Sequence, residues 1–360
     1  MNKDLKTLDA NGLLHFQSVQ TEAINTVTAR FYATHGSIYE RFGPRGQDAC
    51  REDLAFHLEF LRPVLEFGLL QPMVDYLRWL GSVLTARDIP AEHLAQSLDW
   101  LAEYFGAAMA SAEGTVVVAA LQAARIKFVE SYNAPPVLPT PPEAWPEAPR
   151  FEMALLVGNQ RDALSIVSEC LDEGRSLIEV ELHVIQPALY NIGDKWQNNQ
   201  ITVAQEHMAT AIVQSVMTVA LLRSPPISPI DKRVLLACVE GNNHAVGLRM
   251  VADAFLLSGW DVQYLGANVP TRALVQQVAD WKPDLVGLSV SFPQQFRVVK
   301  AVIAELVECL GHARPAIIVG GLAINRFTQL VEAVGADASG ADAQAAVDSA
   351  HRIIGKHDGP

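Results

Sequence analysis

Hydrophobic residues recur at helical spacing through the first third of the chain. The clearest stripe consists of Leu54, Leu58, Leu61 and Leu65. Their i, i+4, i+7, i+11 spacing places all four on one face of a helix. Pro72 and Pro90 each open a further segment of the same periodicity, in the position that proline takes in a first helical turn. We predict five or more helices and an all-α domain over residues 1–132.

Two proline-rich breaks divide the remainder of the chain. Residues 133–150 contain repeated prolines, which disfavour helix and favour an extended linker. Residues 224–232 form a shorter linker of the same kind. The stretch between them, residues 151–223, has about four helical segments and no strand pattern. It is typical of a small helical bundle.

After the second break the pattern changes to short apolar runs separated by helical periods. The runs read RVLLACV, DVQYLG, LVGLSVS and AIIVGG, and segments such as HAVGLRMVADAFLLSG lie between them. Strands that alternate with helices of this length predict a parallel, doubly wound α/β domain. We assign it to residues 233–356.

The composition limits the binding partners and the cellular compartment that can be expected for the chain. Half of the 360 residues are hydrophobic, so the chain can bury more than one large core. The net charge of −13 argues against direct binding to nucleic acid or to an anionic membrane, because neutralising phosphates requires a basic face. No apolar run approaches the roughly 18 residues of a membrane helix. Without a secretory pattern or paired cysteines, the chain is expected to be cytoplasmic.

The loop after the first predicted strand carries the most informative histidine. It reads Glu240-Gly-Asn-Asn-His244-Ala-Val-Gly247. Ligands of open α/β sheets bind at the carboxyl ends of strands, and a neutral imidazole there can coordinate a metal. The plain alternative is a histidine that caps the next helix. Ser289 and the Gly320-Gly321 pair stand at the ends of later strands.

These spacings resemble the "base-off" cobalamin-binding domains of methionine synthase and corrinoid shuttle proteins, with Asp-x-His-x-x-Gly, then Ser-x-Leu, then Gly-Gly. The resemblance implies that His244 ligates cobalt and that the nucleotide tail runs beside the serines, with glycines clearing space. Asn242 stands where the family has aspartate and Ser291 where it has leucine, which predicts weaker histidine ligation. The implied binding residues are His244, Asn242, Gly247, Ser289, Ser291, Gly320 and Gly321.

The bundle sequence VIQPALYNIGDKWQNNQITVAQEHMATAIV resembles the cap domain that covers the upper face of cobalamin. Within it, Trp196 followed after nine residues by Glu206-His207 resembles the signature of light-sensing adenosylcobalamin repressors. The resemblance implies that these three residues, with Val203, surround the adenosyl group. Gln197 stands where those repressors have a second histidine. The alternative is a core tryptophan and an exposed Glu-His pair.

The N-terminal third lacks the basic helix-turn-helix of those repressors and resembles photocobilins instead, in the stretch ACREDLAFHLEFLRPVLEFG followed by YLRWL. That resemblance implies a globin-like or phycobilin-like fold that holds biliverdin. His57 shares a helical face with the leucine stripe and points inward, as core histidines also do. The candidate bilin contacts are His57, Arg62, Tyr76, Arg78 and Cys50.

Three hypotheses follow. The first is a light sensor that binds adenosylcobalamin and biliverdin and changes its oligomeric state to signal to a protein effector. The second is a corrinoid methyl carrier of a methyltransferase system. The third is a haem and cobalamin sensor of the antirepressor type, with haem on His57. The sequence contains no catalytic constellation, so we do not predict an enzyme. We expect a homo-oligomer.

Overall fold

The computed structural model describes residues 5–132, 143–328 and 330–357. It divides into two compact units, Met1–Val137 and Leu138–Pro360. Most of the predicted linker 133–150 lies outside the described residues.

The first unit is helical throughout its described part. Its helices are α1 Ala10–Tyr39, α2 Gly43–Phe67, α3 Leu70–Thr85, α4 Glu92–Ala108 and α5 Ser111–Ser131, with a 3₁₀ turn at Glu40–Phe42. The leucine stripe of α2 is buried, and Phe16 and Phe105 stack near it in the same core. The all-α prediction is confirmed. Pro72 lies in the first turn of α3, as predicted, whereas Pro90 precedes α4 by two residues.

The second unit begins with a helical bundle, which we call the cap. Its elements are α6 Glu147–Leu156, α7 Gln160–Asp172, α8 Leu177–Val180, a π-helical segment Glu181–Ile185, α9 Gln186–Gln197 and α10 Val203–Arg223. Helix α6 starts at Glu147, four residues before the predicted start of the bundle at residue 151. Pro149 is compatible with this start because the first-turn N–H groups of a helix have no intrahelical partner.

The chain then forms a five-stranded sheet. The strands are β1 Arg233–Val239, β2 Asp261–Val269, β3 Leu285–Ser289, β4 Ala316–Gly320 and β5 Ala338–Gly340. They pair in the order β2-β1-β3-β4-β5, and each pairing is parallel. The helices are α11 Val246–Leu256, α12 Thr271–Trp281, α13 Phe296–Leu310, α14 Leu322–Arg326, α15 Leu330–Val334 and α16 Ala343–His357. The doubly wound α/β prediction is confirmed.

The sheet register aligns several candidate residues at one edge. Cys238 pairs with Ser289, Ser289 with Gly320, and Gly320 with Gly340, so the four lie in one row across the sheet. The strand order reverses between β1 and β3, where doubly wound folds bind their ligands. The row therefore crosses the position at which this topology favours a site.

The cap and the sheet domain share one apolar core. Cap residues such as Phe151 and Val213 and sheet-domain residues such as Leu248 and Phe255 belong to the same buried cluster. A common core fixes the cap against α11, so residues of the cap and of the strand ends have defined relative positions.

None of the helices in the described part of the chain combines the length and the apolar character needed to span a bilayer.

Candidate functional site

The side chain of Asn242 holds the loop between β1 and α11 through hydrogen bonds to the backbone. This side chain is fully buried; its Nδ2 donates to the carbonyl of Ser289 at 2.9 Å, and its Oδ1 accepts from the backbone N–H of His244 at 3.1 Å. Both of these bonds go to backbone groups rather than to the imidazole of His244. A short amide beneath the loop reaches the nearer backbone N–H, so Asn242 shapes the loop that presents His244.

The imidazole of His244 is exposed and stands edge-on to the ring of Phe292, with 5.0 Å between centroids. Among the described residues no side chain hydrogen-bonds it. It does not cap α11, whose N-cap is Ala245 without a side-chain bond. Surrounding protein atoms lower the pKa of His244 by desolvation, while the negative charge of Glu206 raises it. The net shift is downward and leaves a neutral ring with a free lone pair at pH 7.

Gln295 is a site residue that the sequence did not reveal. It is buried after β3, and its Nε2 donates to the carbonyl of Gly241 at 2.9 Å. Its Oε1 accepts from the backbone N–H groups of Ser291 and Phe292 at 3.0 and 3.1 Å. One amide thus ties the histidine loop to the serine loop. In the sequence it is only a polar residue ahead of a helix.

The predicted glycines have different reasons to be glycine. A Cβ on Gly247 would meet no atom within 4 Å, so this position borders open space. Gly321 has φ +97°, and a Cβ there would lie 2.4 Å from the carbonyl oxygen of Val290. Close backbone approach, rather than room for a ligand, requires that glycine. A Cβ on Gly320 would lie 3.1 Å from the Gly340 carbonyl oxygen.

The row at the strand ends also contains a thiol that sequence reasoning passed over. Cys238 is buried, and burial raises its pKa to about 11, while a hydrogen bond from the Ser289 side chain acts in the opposite direction. The thiol is therefore protonated at neutral pH and donates to the carbonyl of His244 at 3.7 Å. Ser289 is buried and Ser291 is half-buried.

The cap contributes a polar cluster at the start of α10. Glu206 Oε2 hydrogen-bonds His207 Nδ1 at 2.7 Å, and Thr210 donates to Glu206 Oε1 at 3.3 Å. Val203, at the first position of α10, is exposed, and Trp196, in the last turn of α9, is half-buried. The charge of Glu206 acts electrostatically on His244, so this cap cluster lies within electrostatic reach of the histidine loop. The His207 side chain is 74% exposed.

A separate cavity of about 620 Å³ lies inside the first unit. Of the five predicted bilin contacts, Cys50 and His57 line it, whereas Arg62, Tyr76 and Arg78 are not among the described residues of its wall. Tyr76 stands behind His57, with its hydroxyl 3.0 Å from Nδ1, and Arg62 lies 3.7 Å from Glu66. Arg62, Tyr76 and Arg78 stay predictions, and the wall of this cavity accounts for two of the five residues.

The cavity has its own arginines, which sequence reasoning missed. Arg41, Arg45 and Arg87 line it together with aromatic and aliphatic side chains and the carboxyl of Asp53. Arg41 is held in place by bonds from its guanidinium to the carbonyls of Arg87 and Asp88 at 2.9 and 3.0 Å. Burial raises the pKa of Asp53 to about 6 and lowers that of His57 to about 4.

The matches to known protein families correspond to the cap and to the sheet domain. Residues 232–348 match the family described as B12 binding domain, and residues 148–221 match a second family of the same description. Together the two matches cover just over half of the chain. The chain belongs to the B12-binding proteins. Both matches lie within the second unit, so the globin-like or phycobilin-like character of the first unit stays a prediction.

Two curated relatives are repressors of Myxococcus xanthus. The chain is 28% identical to the HTH-type transcriptional repressor CarH over 193 residues, which are 53% of this chain and 64% of CarH. It is 30% identical to the HTH-type transcriptional repressor CarA over 210 residues, 54% of this chain and 66% of CarA. Each match covers slightly less than two thirds of the relative. A solved monomethylamine corrinoid protein of Methanosarcina barkeri aligns with TM-score 0.49 and 21% identity, over 57% of this chain and 96% of that one.

Proposed function

We propose that the chain is a light sensor that binds adenosylcobalamin between the cap and the carboxyl edge of the sheet. The observation that carries this proposal is the opposition of His244 and Glu206. The negative charge of Glu206, which belongs to the Trp196–Glu206–His207 motif of the cap, acts on the neutral imidazole of the sheet domain. When bound, adenosylcobalamin supplies a cobalt–carbon bond that visible light breaks.

The residues present fit a cobalamin. The free lone pair of His244 would bind cobalt, and Asn242 and Gln295 hold its loop in place. Open space beside Gly247 leaves room above the start of α11. Ser289 and Gly320 line the row along which a nucleotide tail would run. On the cap side, the indole of Trp196 offers a ring face, and Glu206 offers hydrogen-bond acceptors, to an adenosyl group.

The substitution Trp196→Ala tests the adenosyl specificity. Losing the ring face should lower the affinity for adenosylcobalamin about tenfold and leave that for methylcobalamin within about twofold. Titration of both cobalamins by isothermal calorimetry, in the dark, measures the two affinities. Tyr190→Ala, which removes another aromatic of α9 that is 39% exposed, is the matched control. Equal wild-type affinity for the two cobalamins would favour the corrinoid methyl carrier.

We further propose that the cavity of the first unit binds a linear tetrapyrrole such as biliverdin. Its volume and apolar lining suit a flat conjugated molecule, and the three arginines suit two propionates. The Asp53 carboxyl can accept hydrogen bonds from pyrrole N–H groups. Burial raises the pKa of Cys50 to about 11. The thiol is therefore not a nucleophile at neutral pH, and we propose non-covalent binding.

Replacement of Arg45 tests this second site. Arg45→Ala should weaken biliverdin binding about tenfold, because one charge-assisted contact to a propionate is lost. Arg62→Ala, which alters an arginine outside the cavity wall, should bind like the wild type. Absorbance of protein reconstituted with biliverdin gives both affinities. A Soret band after reconstitution with haem, lost in His57→Ala, would support the haem sensor instead.

A further inference from the structure

A pair of buried carboxyl groups lies where the cap packs on the sheet domain. Glu181 is the first residue of the π-helical segment, and Asp253 belongs to α11. Both residues are 0% exposed. Short π-helical segments are rare and recur at functional sites. Neither carboxyl takes part in the cobalamin site or in the cavity described above.

The charges around this pair do not balance if both carboxyls are ionised. Arg249 Nε donates to Asp253 Oδ1 at 2.7 Å, and it is the cation that acts on both acids. Three oxygens of the pair accept no hydrogen bond within the described parts of the chain. They are both carboxyl oxygens of Glu181 and Oδ2 of Asp253. One proton on Glu181 would cancel one negative charge and supply the missing donor between the two acids.

Other titratable groups on the surrounding elements have partners of their own. From β2, the ring of Tyr264 lies 6.0 Å from the Arg249 guanidinium, and its hydroxyl donates to the carbonyl of Ala245. The remaining partnerships are Glu152 of α6 with Lys195 and Asn191, Cys170 of α7 with Arg175, Arg223 of α10 with Asp172, Cys238 of β1 with Ser289, and His351 of α16 with Trp260. The pair therefore has one cation for two acids.

We propose that Glu181 and Asp253 share a single proton and that this proton fastens the cap to α11. With the proton present the site is neutral and hydrogen-bonded. Without it, two like charges face each other across the contact between the cap and the sheet domain. The cap is then expected to loosen, whatever ligand it covers.

The sign of the pH dependence follows from the shifted acid. Burial, together with the charge of Asp253, raises the pKa of Glu181 well above its ordinary value of 4.5. The folded state therefore binds this proton more tightly than the unfolded state does. Its stabilisation is complete below the unfolded pKa and is lost as pH rises through the folded pKa. Loosening is expected on the alkaline side.

Two measurements on the full chain test the proposal. Infrared spectra at about pH 8, where the Asp53 carboxyl is ionised, should contain the carbonyl band of one protonated carboxylic acid, and Glu181→Gln should lack it. Hydrogen–deuterium exchange of peptides 177–197 and 246–256 should accelerate about tenfold as the pH rises through the range in which the infrared band disappears, after correction for the chemical rate. In Glu181→Gln, whose amide donates at every pH, that acceleration should disappear.

Glu152→Gln is the matched control, since it changes a buried cap carboxyl that already has a cation. It should keep both the infrared band and the pH-dependent exchange of the wild type. A wild type without the band overturns the shared proton, whatever the variants do. Equal acceleration of exchange in the wild type and in Glu181→Gln overturns the fastening role. Neither result bears on cobalamin binding, which is measured separately by absorbance.

Discussion

Replacement of His244 by alanine is expected to weaken binding of adenosylcobalamin on the order of a hundredfold. The proposed site has one protein ligand to cobalt, and metal sites respond to changes even in their supporting residues by 10- to 100-fold. The spectrum of the bound cofactor should also lose the signal that a coordinating histidine nitrogen produces. Electron paramagnetic resonance of the cob(II)alamin form, in protein with ¹⁵N-labelled histidine, detects that nitrogen directly.

The adjacent Asn243 provides the control for this variant. Its side chain is exposed, and Asn243→Ala leaves Asn242 and Gln295 to hold the loop. It should bind like the wild type. A His244→Ala protein that retains cobalamin with an unchanged isotope-dependent spectrum would contradict the axial assignment.

Acid should weaken the same bond. Cobalt and a proton compete for the imidazole, and desolvation by the surrounding protein atoms lowers the pKa of His244 below its ordinary 6.5. Ligation should therefore be constant from neutral pH downward until the pH falls below about 6.5, and should decline only then. A lowered pKa means that the imidazole takes up its proton only at a lower pH, so the loss of ligation is expected on the acidic side of the ordinary histidine pKa.

Much of the fold was predictable from the sequence because its periodicities are local. The apolar runs that became β1, β3 and β4 lie between helical segments, and parallel strands place their carboxyl ends at one edge. His244 and Ser289 could be assigned to that edge before the register was known. The start of α6 was missed because Pro146 is its N-cap and Pro149 lies in its first turn, where proline does not disturb a helix.

The residues that support the site could not be recognised from a sequence pattern. Gln295 acts through three backbone groups on two loops that are about 50 residues apart in sequence. Only the packed structure brings those groups together. The same applies to the cavity of the first unit. Arg62 follows the leucine stripe in the sequence, but Arg41 and Arg45, beside the turn between α1 and α2, face the cavity.

Illumination of the adenosylcobalamin-loaded chain is expected to change its mass in solution by at least a factor of two. In the dark, the adenosyl group would fill the space between His244 and the motif of Trp196, Glu206 and His207. Loss of that group on illumination would leave the cap with an unfilled cavity, which costs on the order of 20–25 cal/mol per Å³. Helices α9 and α10 should move toward the sheet domain.

Movement of α10 changes the surface that the cap presents to other chains. Met153 of α6, Val157 directly after it and Met208 of α10 are exposed, and Met208 lies near Gly158, two residues beyond the end of α6. A shift of one helix against the other rearranges these apolar side chains, and interfaces tend to adopt discrete arrangements. The acidic chain has a net charge of −13, which favours a protein rather than a nucleic acid as the receiver of that change.

Size-exclusion chromatography with light scattering, in the dark and after green light, measures the expected change. Protein loaded with hydroxocobalamin, which has no alkyl group to lose, should have the same mass in both conditions. Trp196→Ala should show a smaller difference than the wild type, because its cap packs less closely on the adenosyl group. Identical masses and scattering curves for the wild type before and after complete photolysis would show that the cap does not transmit the signal by assembly.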